Sequence, residues 1–442
     1  MLHIFHFSPA DSMTCSYSNG YAAVKFRHHP DSPAVEVAVR LDSAGQIGGQ
    51  SPHKPQSFDI HLARRPVGAM AINSPTLNSP TRDAITRPGA EDIHWSPASA
   101  LRLGDPASPE ARDVSDYVKT AILPQLVPPP YGEIEIVQLS SRKPVYLFVE
   151  RNHDIGVVGK LFRHGEVALE QAWLSASREY FNLKLLRNRF GMSSGSCCVV
   201  APLGKRRELS ALLVTERARG RELDRYIAKA IKDRSRDKLY EKLSDLATFF
   251  VKLHRSTEGK RQVSACLPRA YLTKLLDSLR NWPSNPIEGE TVERYAARWW
   301  DKDEAFVNDT EVVVHGDATT TNFLFHHHEV TAIDLEKMKW ADRCWDLGFI
   351  AAELKHHFMW RMGDGWAAEP FIGHFLWQYA TGYRDEQFFH SLTNRTPLYM
   401  ALGLLRIARN SWLDERHRKN LVIEAIRCLS FGASSSTTTI PS

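Results

Sequence analysis

The sequence lacks several features that would place it in a specialised class of protein. It has six cysteines in 442 residues, with no CxxC pair and no regular spacing. Such usage indicates free thiols in a reducing compartment rather than a disulfide framework. No apolar run approaches the roughly 20 residues of a transmembrane helix. The N-terminus also lacks the basic start and the long apolar stretch of a signal peptide.

The sequence also has no large excess of basic or acidic residues. The chain has 56 basic and 51 acidic residues, and the resulting net charge of +5 is spread along its length. This balance predicts no dedicated nucleic-acid surface. With 43% hydrophobic and 24% charged residues, the composition is that of an ordinary soluble globular protein of two or three domains. We therefore expect a cytoplasmic protein without a transmembrane segment or a nucleic-acid partner.

The first 112 residues carry little pattern and no chemical motif. Two plausible strands, at 22–26 and 34–41, stand among many Pro, Ser and Gly residues. The stretch 72–88 repeats an N-S-P unit without periodic apolar residues, which predicts a flexible linker. Residues 1–112 are thus either a small appended element or largely disordered. The polar tail 432–442 is expected to be disordered.

The most informative stretch of the chain runs from 312 to 348. Three valines lead into an H-G-D tripeptide at 315–317, and Asn322 follows its aspartate by five positions. An apolar run at 323–325, a polar turn and a second apolar run ending on Asp334 come next. This pattern predicts a loop with a carboxylate and an amide, followed by a hairpin whose second strand delivers another carboxylate.

These residue types match the needs of phosphoryl transfer. The reaction requires a carboxylate to take or orient the proton of the acceptor hydroxyl, and hard oxygen ligands to hold Mg²⁺ against the nucleotide phosphates. Asp317 suits the first role, and Asn322 and Asp334 suit the second. The alternative is an ordinary hairpin in which Asp and Asn serve as turn residues.

The same stretch resembles the catalytic core of the aminoglycoside phosphotransferase and choline kinase-like family, which is related to the protein kinases. The family's H-G-D-x-x-x-x-N and I-D-x-E elements stand at 315–322 and 333–336, and its D-L-small element stands at 346–348. The resemblance covers about 113–430. It implies an ATP- and Mg²⁺-dependent kinase of a small-molecule hydroxyl, with His315 and Asp317 in the catalytic loop.

The resemblance also implies an α+β, bilobal protein kinase-like fold. The small lobe, 113–215, would contain a five-stranded antiparallel sheet and one long helix. Its predicted strands lie at 133–139, 145–150, 156–162, 197–202 and 208–215, and its predicted helices at 114–126 and 167–190. The large lobe, 216–431, would be mainly helical. Its predicted helices lie at 223–232, 239–253, 349–360, 371–383, 397–412 and 421–431, the last four forming a helical cap. An aromatic, charged insertion occupies 256–310.

A strand lysine and a helix glutamate are expected on the nucleotide side. Lys160 stands in the third predicted strand, where the family's lysine contacts the nucleotide phosphates. Glu179 resembles the glutamate that pairs with this lysine, and Glu170 is the competing candidate. The alternatives are a solvent-facing charge for Lys160 and a solvated surface carboxylate for Glu179.

The remaining nucleotide contacts are expected from the backbone. In the family the hinge between the lobes binds adenine, and Thr215 C=O and Arg217 N–H are the candidates here. The first hairpin has no G-x-G-x-x-G sequence. Ser140 and Ser141 therefore become candidates for covering the phosphates with backbone N–H groups.

The acceptor is predicted from charge. From 351 to the C-terminus the chain has eight acidic and ten basic residues, and Arg406 and Arg409 are three apart. A lining for polycationic aminoglycosides should be acidic. A neutral or anionic acceptor, such as a sugar or a phosphorylated metabolite, is therefore expected. Thr319 stands where protein Ser/Thr kinases generally place Lys, which favours a small molecule over a protein.

Three alternative functions remain at this level. One is a lipopolysaccharide-core or sugar kinase, and another is a small atypical protein kinase of tRNA modification, against which the absent D-F-G motif and the large helical cap count. The third is a nucleotide-binding regulator that has lost catalysis. Two histidine runs are expected to have no metal-binding role, because 326–328 falls in a hairpin turn and the rings at 356–357 point to different faces of a helix.

Overall fold

The structure is a computed structural model, and it describes most of the chain from residue 109 onward. The described residues are 109–140, 144–233, 236–280, 282, 289–300, 309–383 and 386–431, together with the backbone of three strands near the N-terminus. The chain forms two compact units, Phe5–Trp95 and Ser96–Ser442, the second of which includes Met1–Ile4. The predicted linker at 72–88 and the tail at 432–442 lie outside the described residues.

The N-terminal unit contains an antiparallel sheet of three described strands. These are β1 (Ser12–Ser18), β2 (Tyr21–Arg27) and β3 (Val35–Arg40). They pair in chain order, with Tyr21 opposite both Ser18 and Arg40. The two strands predicted from sequence are confirmed. The first strand was missed because its sequence, SMTCSYS, has few β-branched or large apolar residues.

The small lobe of the second unit is a five-stranded antiparallel sheet with helices on both faces. The elements in chain order are α1 (Pro109–Tyr117), β4 (Ile134–Gln138), β5 (Val145–Glu150), β6 (Ile155–Leu161), α2 (Leu169–Arg189), β7 (Cys197–Val199), β8 (Pro202–Arg206) and β9 (Leu212–Glu216). The sheet order is β4-β5-β6-β9-β8. Ile122, Phe148 and Leu212 pack on one face, and Ala176 and Leu213 pack on the other.

One predicted strand of this lobe was wrong. The stretch 197–202 was expected to be a single strand of the small-lobe sheet, but it divides between two sheets. β7 runs parallel to a strand of the large lobe, with Cys197 opposite Val330, whereas β8 completes the small-lobe sheet. Local apolar pattern predicts a strand but not its partner, because pairing depends on residues far away in the chain.

The large lobe is mainly helical. Its helices are α3 (Leu223–Asp233), α4 (Asp237–Ser256), α5 (Cys266–Arg280), α6 (Gly289–Trp300), α7 (Cys344–Met362), α8 (Glu369–Thr381), α9 (Glu386–Ala408) and α10 (Glu415–Phe431). Its short strands are β10 (Arg221–Glu222), β11 (Val312–Val314), β12 (Phe323–His326), β13 (Glu329–Ala332) and β14 (Lys339–Ala341). The predicted insertion at 256–310 contains α5 and α6, and α9 begins eleven residues before the predicted start at 397.

The architecture confirms the predicted α+β fold with a small sheet lobe and a helical large lobe. The hairpin of β12 and β13 pairs Phe323 with Ala332, and the turn predicted at the histidine run is formed by His327 and His328, whereas His326 ends β12. The hairpin lies on α4, where Phe249 and Phe250 contact Phe323 edge to face. This packing holds the loops at 315–322 and 333–337 on a rigid support. None of the described helices is long and apolar enough to cross a bilayer.

Candidate active site

Lys160 lies at the centre of a cluster of carboxylates between the two lobes. Its Nζ is 2.8 Å from Glu179 Oε2, 2.7 Å from Asp334 Oδ1 and 3.2 Å from Glu336 Oε2. Burial opposes the charged ammonium, but the three carboxylates outweigh it and raise the pKa of Lys160 above its usual value. One ammonium thus faces three carboxylates, which leaves an excess of negative charge at this position.

The phase of α2 decides which glutamate meets Lys160. Ala172, Ala176, Glu179 and Leu183 are buried on one face of the helix, at spacings of three and four residues. Glu179 is therefore directed towards the sheet, and burial raises its pKa to about 7 despite the neighbouring ammonium. The competing candidate, Glu170, is exposed and pairs with Arg207 instead.

The loop at 315–322, the predicted catalytic loop, is held by the buried carboxylate of Asp346 at the start of α7. It accepts hydrogen bonds from the backbone N–H groups of His315, at 2.7 Å, and Gly316, at 3.0 Å. Gly316 has a φ of +80°, and a Cβ at this position would lie 2.1 Å from Lys337 O. Only glycine fits there. The ring Nε2 of His315 is 2.9 Å from Ile333 O, so this residue ties the loop to the hairpin.

Asp317 is buried in this loop, and each of its carboxylate oxygens contacts a cationic side chain. Lys337 Nζ is 2.7 Å from Oδ2, and an Arg406 guanidinium nitrogen is 2.5 Å from Oδ1. Burial alone would raise the pKa of Asp317, but Arg406 and Lys337 outweigh it and lower the pKa below its ordinary value. The group is therefore an ionised carboxylate at neutral pH.

Asn322 and Asp334 are brought to the same end of the hairpin. Ile333 N–H donates to Asn322 O at 3.0 Å, and the amide Nδ2 of Asn322 donates to the carbonyl of Asp317 at 2.9 Å. Asp334 has a left-handed backbone with a φ of 60° and begins the short 3₁₀ turn Leu335–Lys337. This turn delivers Asp334 and Glu336 to the carboxylate cluster.

The four predicted backbone contacts with a nucleotide stay predictions. Thr215 is near the end of β9, opposite Val158, and Arg217 follows in the connection to β10. Ser140 comes shortly after β4, and Ser141 lies outside the described residues. Nothing in the described residues tests whether these four residues contact a nucleotide.

Sequence reasoning missed three residues that the structure places at the site. Glu336 is part of the I-D-x-E element, although only its aspartate was assigned a role. Lys337 follows directly, so its position in this element could have drawn attention to it. Arg406 had been noted only for its charge, and it lies 89 positions from Asp317. The side chains of Arg406 and Glu353 are paired at 3.2 Å.

The two histidines of α7 point in different directions, as predicted. His356 Nδ1 is 2.8 Å from His417 Nε2 in α10. His357 Nε2 is 3.1 Å from Thr320 Oγ1, so this ring supports the catalytic loop from the cap side. The loop is therefore braced by both α7 and the hairpin.

A buried, ionised carboxylate, a strand lysine paired with a helix glutamate and a second set of carboxylates are the groups that a kinase-like phosphotransferase site requires. Residues 158–389, more than half of the chain, match the sequence model of the phosphotransferase enzyme family, APH. The chain belongs to this family, which confirms the resemblance drawn from its motifs. The protein is a kinase, a phosphotransferase with an alcohol group as acceptor.

Solved structures with a similar fold include an ethanolamine kinase from Plasmodium vivax, at 13% identity and a TM-score of 0.50. The alignment covers 76% of this chain and 90% of that one. An APH(2'')-IIa complex with streptomycin and ATP has 15% identity and a TM-score of 0.45, covering 72% and 97%. A macrolide 2'-phosphotransferase from Brachybacterium faecium has 14% identity and a TM-score of 0.40, covering 71% and 97%. No curated protein matches the sequence.

Proposed function

We propose that the protein transfers the γ-phosphoryl group of ATP to a hydroxyl of a neutral or anionic small molecule in the cytoplasm, with Mg²⁺ as cofactor. The observation that carries this proposal is the convergence of two sites on one hairpin. The Lys160 cluster lies beyond its second strand, and Asp317 lies just before its first. We further propose the lobes as 113–215 and 216–431, with 1–112 as an appended extension.

The nucleotide side is supported by the Lys160 cluster. Glu179 holds the lysine in place, so that its ammonium is available to the phosphates. Thr215, Arg217, Ser140 and Ser141 would contact the adenine and the phosphates through their backbone. This arrangement limits the motion of Lys160, because its ammonium is anchored from both lobes.

The residues present also fit a magnesium ion. Carboxylate oxygens of Glu179, Asp334 and Glu336 lie within 4.8 Å of one another, and hard oxygens are the ligands that Mg²⁺ prefers. We propose Asp334 and Asn322 as its ligands, with Glu336 beside them. When bound, Mg²⁺ neutralises charge on the phosphate oxygens. The negative excess around Lys160 favours such a cation, because Lys160 supplies one ammonium to three carboxylates.

The acceptor side is supported by Asp317. In the reaction the acceptor oxygen forms a bond to the γ-phosphorus while the bond from that phosphorus to the bridging oxygen of ADP breaks. The hydroxyl proton passes to Asp317, whose ionised carboxylate orients the attacking oxygen. His315 and Asp346 hold the loop in place. All of these residues are present, which favours an active kinase over a regulator that has lost catalysis.

The acceptor's charge is supported by the cations around Asp317. Arg406 and Lys337 both contact this carboxylate, so a polycationic substrate would meet positive charge at the reacting oxygen. This favours a sugar or related metabolite, including the acceptors of a lipopolysaccharide-core kinase, over an aminoglycoside.

The test is a screen for transfer of radiolabelled γ-phosphate from ATP and Mg²⁺ to a metabolite panel. The panel contains sugars, sugar phosphates, hydroxy acids and kanamycin-type aminoglycosides, with Asp317→Asn as the control enzyme. We expect label in a neutral or anionic acceptor and none with the variant. Efficient phosphorylation of the aminoglycosides would contradict the assigned charge class, and equal labelling by both enzymes would remove Asp317 from the mechanism.

A further inference from the structure

Arg406 of α9 inserts its guanidinium between two carboxylates at the acceptor side. One terminal nitrogen contacts Asp317 Oδ1 at 2.5 Å and the other contacts Glu353 Oε1 at 3.2 Å. The guanidinium carbon lies 5.5 Å from the ring centroid of Phe349. The side chain of Arg406 is only 14% exposed. A long cation is thus held at the catalytic carboxylate by a helix that is remote in sequence.

The charges at this position do not cancel. A single cation suffices to neutralise Asp317, yet this carboxylate contacts both Arg406 and Lys337. The remaining carboxylate, Glu353, is buried, and burial raises its pKa to about 7. At neutral pH Glu353 therefore carries only part of a negative charge. The four groups together have a positive surplus beside the place where the acceptor hydroxyl must lie.

One neighbouring cation adds to this surplus. Lys339 of β14 lies over the ring of Trp345, with Nζ 3.3 Å from the centroid, and it interacts electrostatically with Lys337 and Asp317. Arg406 also acts on Tyr271 of α5, whose pKa is raised because burial outweighs the nearby arginine charge. Lys337, Lys339 and Arg406 thus all act on Asp317.

The nearby acidic groups are already engaged elsewhere. Asp346 accepts the N–H groups of the catalytic loop. Asp224 pairs with Arg361 at 2.6 Å and lies 3.5 Å from the ring of His357. Neither carboxylate offsets the cations around Asp317, so the positive surplus remains.

The cations on both oxygens of Asp317 compete with an acceptor hydroxyl and make the carboxylate a weaker proton acceptor. Lys337 is 47% exposed and can move into solvent, but Arg406 is enclosed. An acceptor with an anionic group offers Arg406 a new partner, because the planar guanidinium binds carboxylate and phosphate oxygens in a fork geometry. A neutral acceptor offers no anionic group that could compete with Asp317 for the guanidinium of Arg406.

We propose that Arg406 is the acceptor-binding residue and that the acceptor is a hydroxylated small molecule with a carboxylate or a phosphate monoester. Its anionic group takes the guanidinium from Asp317 and so frees this carboxylate for the hydroxyl. Lys337 serves as a second, mobile cation for the same group. This inference rests on the proposed function, since it places the acceptor at Asp317.

The experiment compares four ligands built on one sugar skeleton: glucuronate, glucose 6-phosphate, glucose and glucosamine. Their binding to the full-length protein, loaded with Mg²⁺ and a non-hydrolysable ATP analogue, is measured by ligand-observed NMR titration. We expect at least one of the two anionic ligands to bind roughly tenfold to a hundredfold more tightly than glucose, as a charge-assisted hydrogen bond predicts. Glucosamine should bind most weakly. Whichever of glucuronate and glucose 6-phosphate binds more tightly shows whether the site prefers a carboxylate or a phosphate.

Arg406→Gln should remove this anion preference, whereas Arg409→Gln should keep it. The two changes remove the same charge from the same helix, but Arg409 forms no ion pair with any residue that the structure describes. Arg406→Lys retains the charge without the fork and should recover part of the preference. Thermal melts of each variant establish that it is folded, and Arg406→Lys replaces Arg406→Gln in the comparison should the latter unfold.

The affinity of Asp317→Asn for the anionic ligands distinguishes anion binding by Arg406 from a purely structural role. Without the competing carboxylate, the guanidinium is available to the ligand, and anion affinity should rise. Equal binding of all four ligands, tightest binding of glucosamine, or equal losses in the two glutamine variants would overturn the inference. The proposed function fails separately: an anion preference without any phosphoryl transfer would exclude the kinase reaction but leave the anion site in place.

Discussion

The two halves of the site are built with opposite charge. On the nucleotide side, three carboxylates surround the single ammonium of Lys160, and the excess stays negative although Glu179 is partly protonated. On the acceptor side, Arg406 and Lys337 meet at Asp317, and the additional carboxylate of Glu353 is partly neutral. The charge of the first half favours a cation, and that of the second favours an anion. One hairpin therefore separates a negatively charged environment from a positively charged one.

The two halves also differ in how the chain assembles them. The nucleotide side is formed by β6, α2 and the turn at 334–336, and each contribution belongs to a local pattern. The acceptor side joins the catalytic loop to α7 and α9, and Arg406 is 89 positions away from Asp317. The following changes act on one half at a time, in order of decreasing expected effect.

Asp317→Asn should impair phosphoryl transfer without weakening nucleotide binding. Because the amide cannot accept the hydroxyl proton, turnover should fall on the order of 10²–10⁴-fold. The affinity for ATP and Mg²⁺ should remain near the wild-type value, since Asp317 makes no contact with the Lys160 cluster in the described part of the chain. Single-turnover kinetics and nucleotide calorimetry measure the two effects. Full activity in this variant would end the assignment.

Asp334→Ala should break the nucleotide side. It removes the proposed metal ligand and one partner of Lys160, so the Mg²⁺-dependent affinity for ATP should collapse together with turnover. Calorimetry with and without Mg²⁺ separates this variant from Asp317→Asn. Unchanged affinity for ATP and Mg²⁺ would show that Asp334 is not the ligand.

Glu179→Gln should weaken the nucleotide side without removing a metal ligand from the proposed set. Loss of the charged partner of Lys160 should lower kcat/KM for ATP roughly tenfold or more, as expected for a hydrogen bond between charged groups. Glu170→Gln is the matched control on the same helix, because its exposed pair with Arg207 contributes little. Similar losses in both variants would show that the pairing of Lys160 with Glu179 has no special role.

Glu353→Gln should change the pH dependence of stability. Because the pKa of Glu353 rises from 4.5 to about 7 on folding, the folded protein holds a proton that the unfolded chain has lost. The wild type should therefore lose stability as the pH rises through this window, on the order of 3 kcal/mol from this group. Glu179 adds a loss of the same sign. Denaturant unfolding between pH 4.5 and 7 should show a shallower decline for the variant, and parallel profiles would contradict the assignment.

Much of the fold follows from local pattern. Alternating burial along β6 places Val157, Gly159 and Leu161 on the buried face and Lys160 on the other. The helical phase of α2 places Glu179 with Ala176 and Leu183, and this phase alone favours it over Glu170. The division of 197–202 between two sheets could not be predicted in this way, because strand pairing is a long-range choice.

By itself the sequence determined the parts whose geometry is local. The spacing of the H-G-D motif, Asn322 and Asp334 sets a loop and one hairpin in consecutive order. Only the tertiary structure decided that Arg406 meets Asp317. A contact between α9 and the catalytic loop depends on how helices of the cap pack over hydrophobic surface, and that packing leaves no periodic signal at a single arginine.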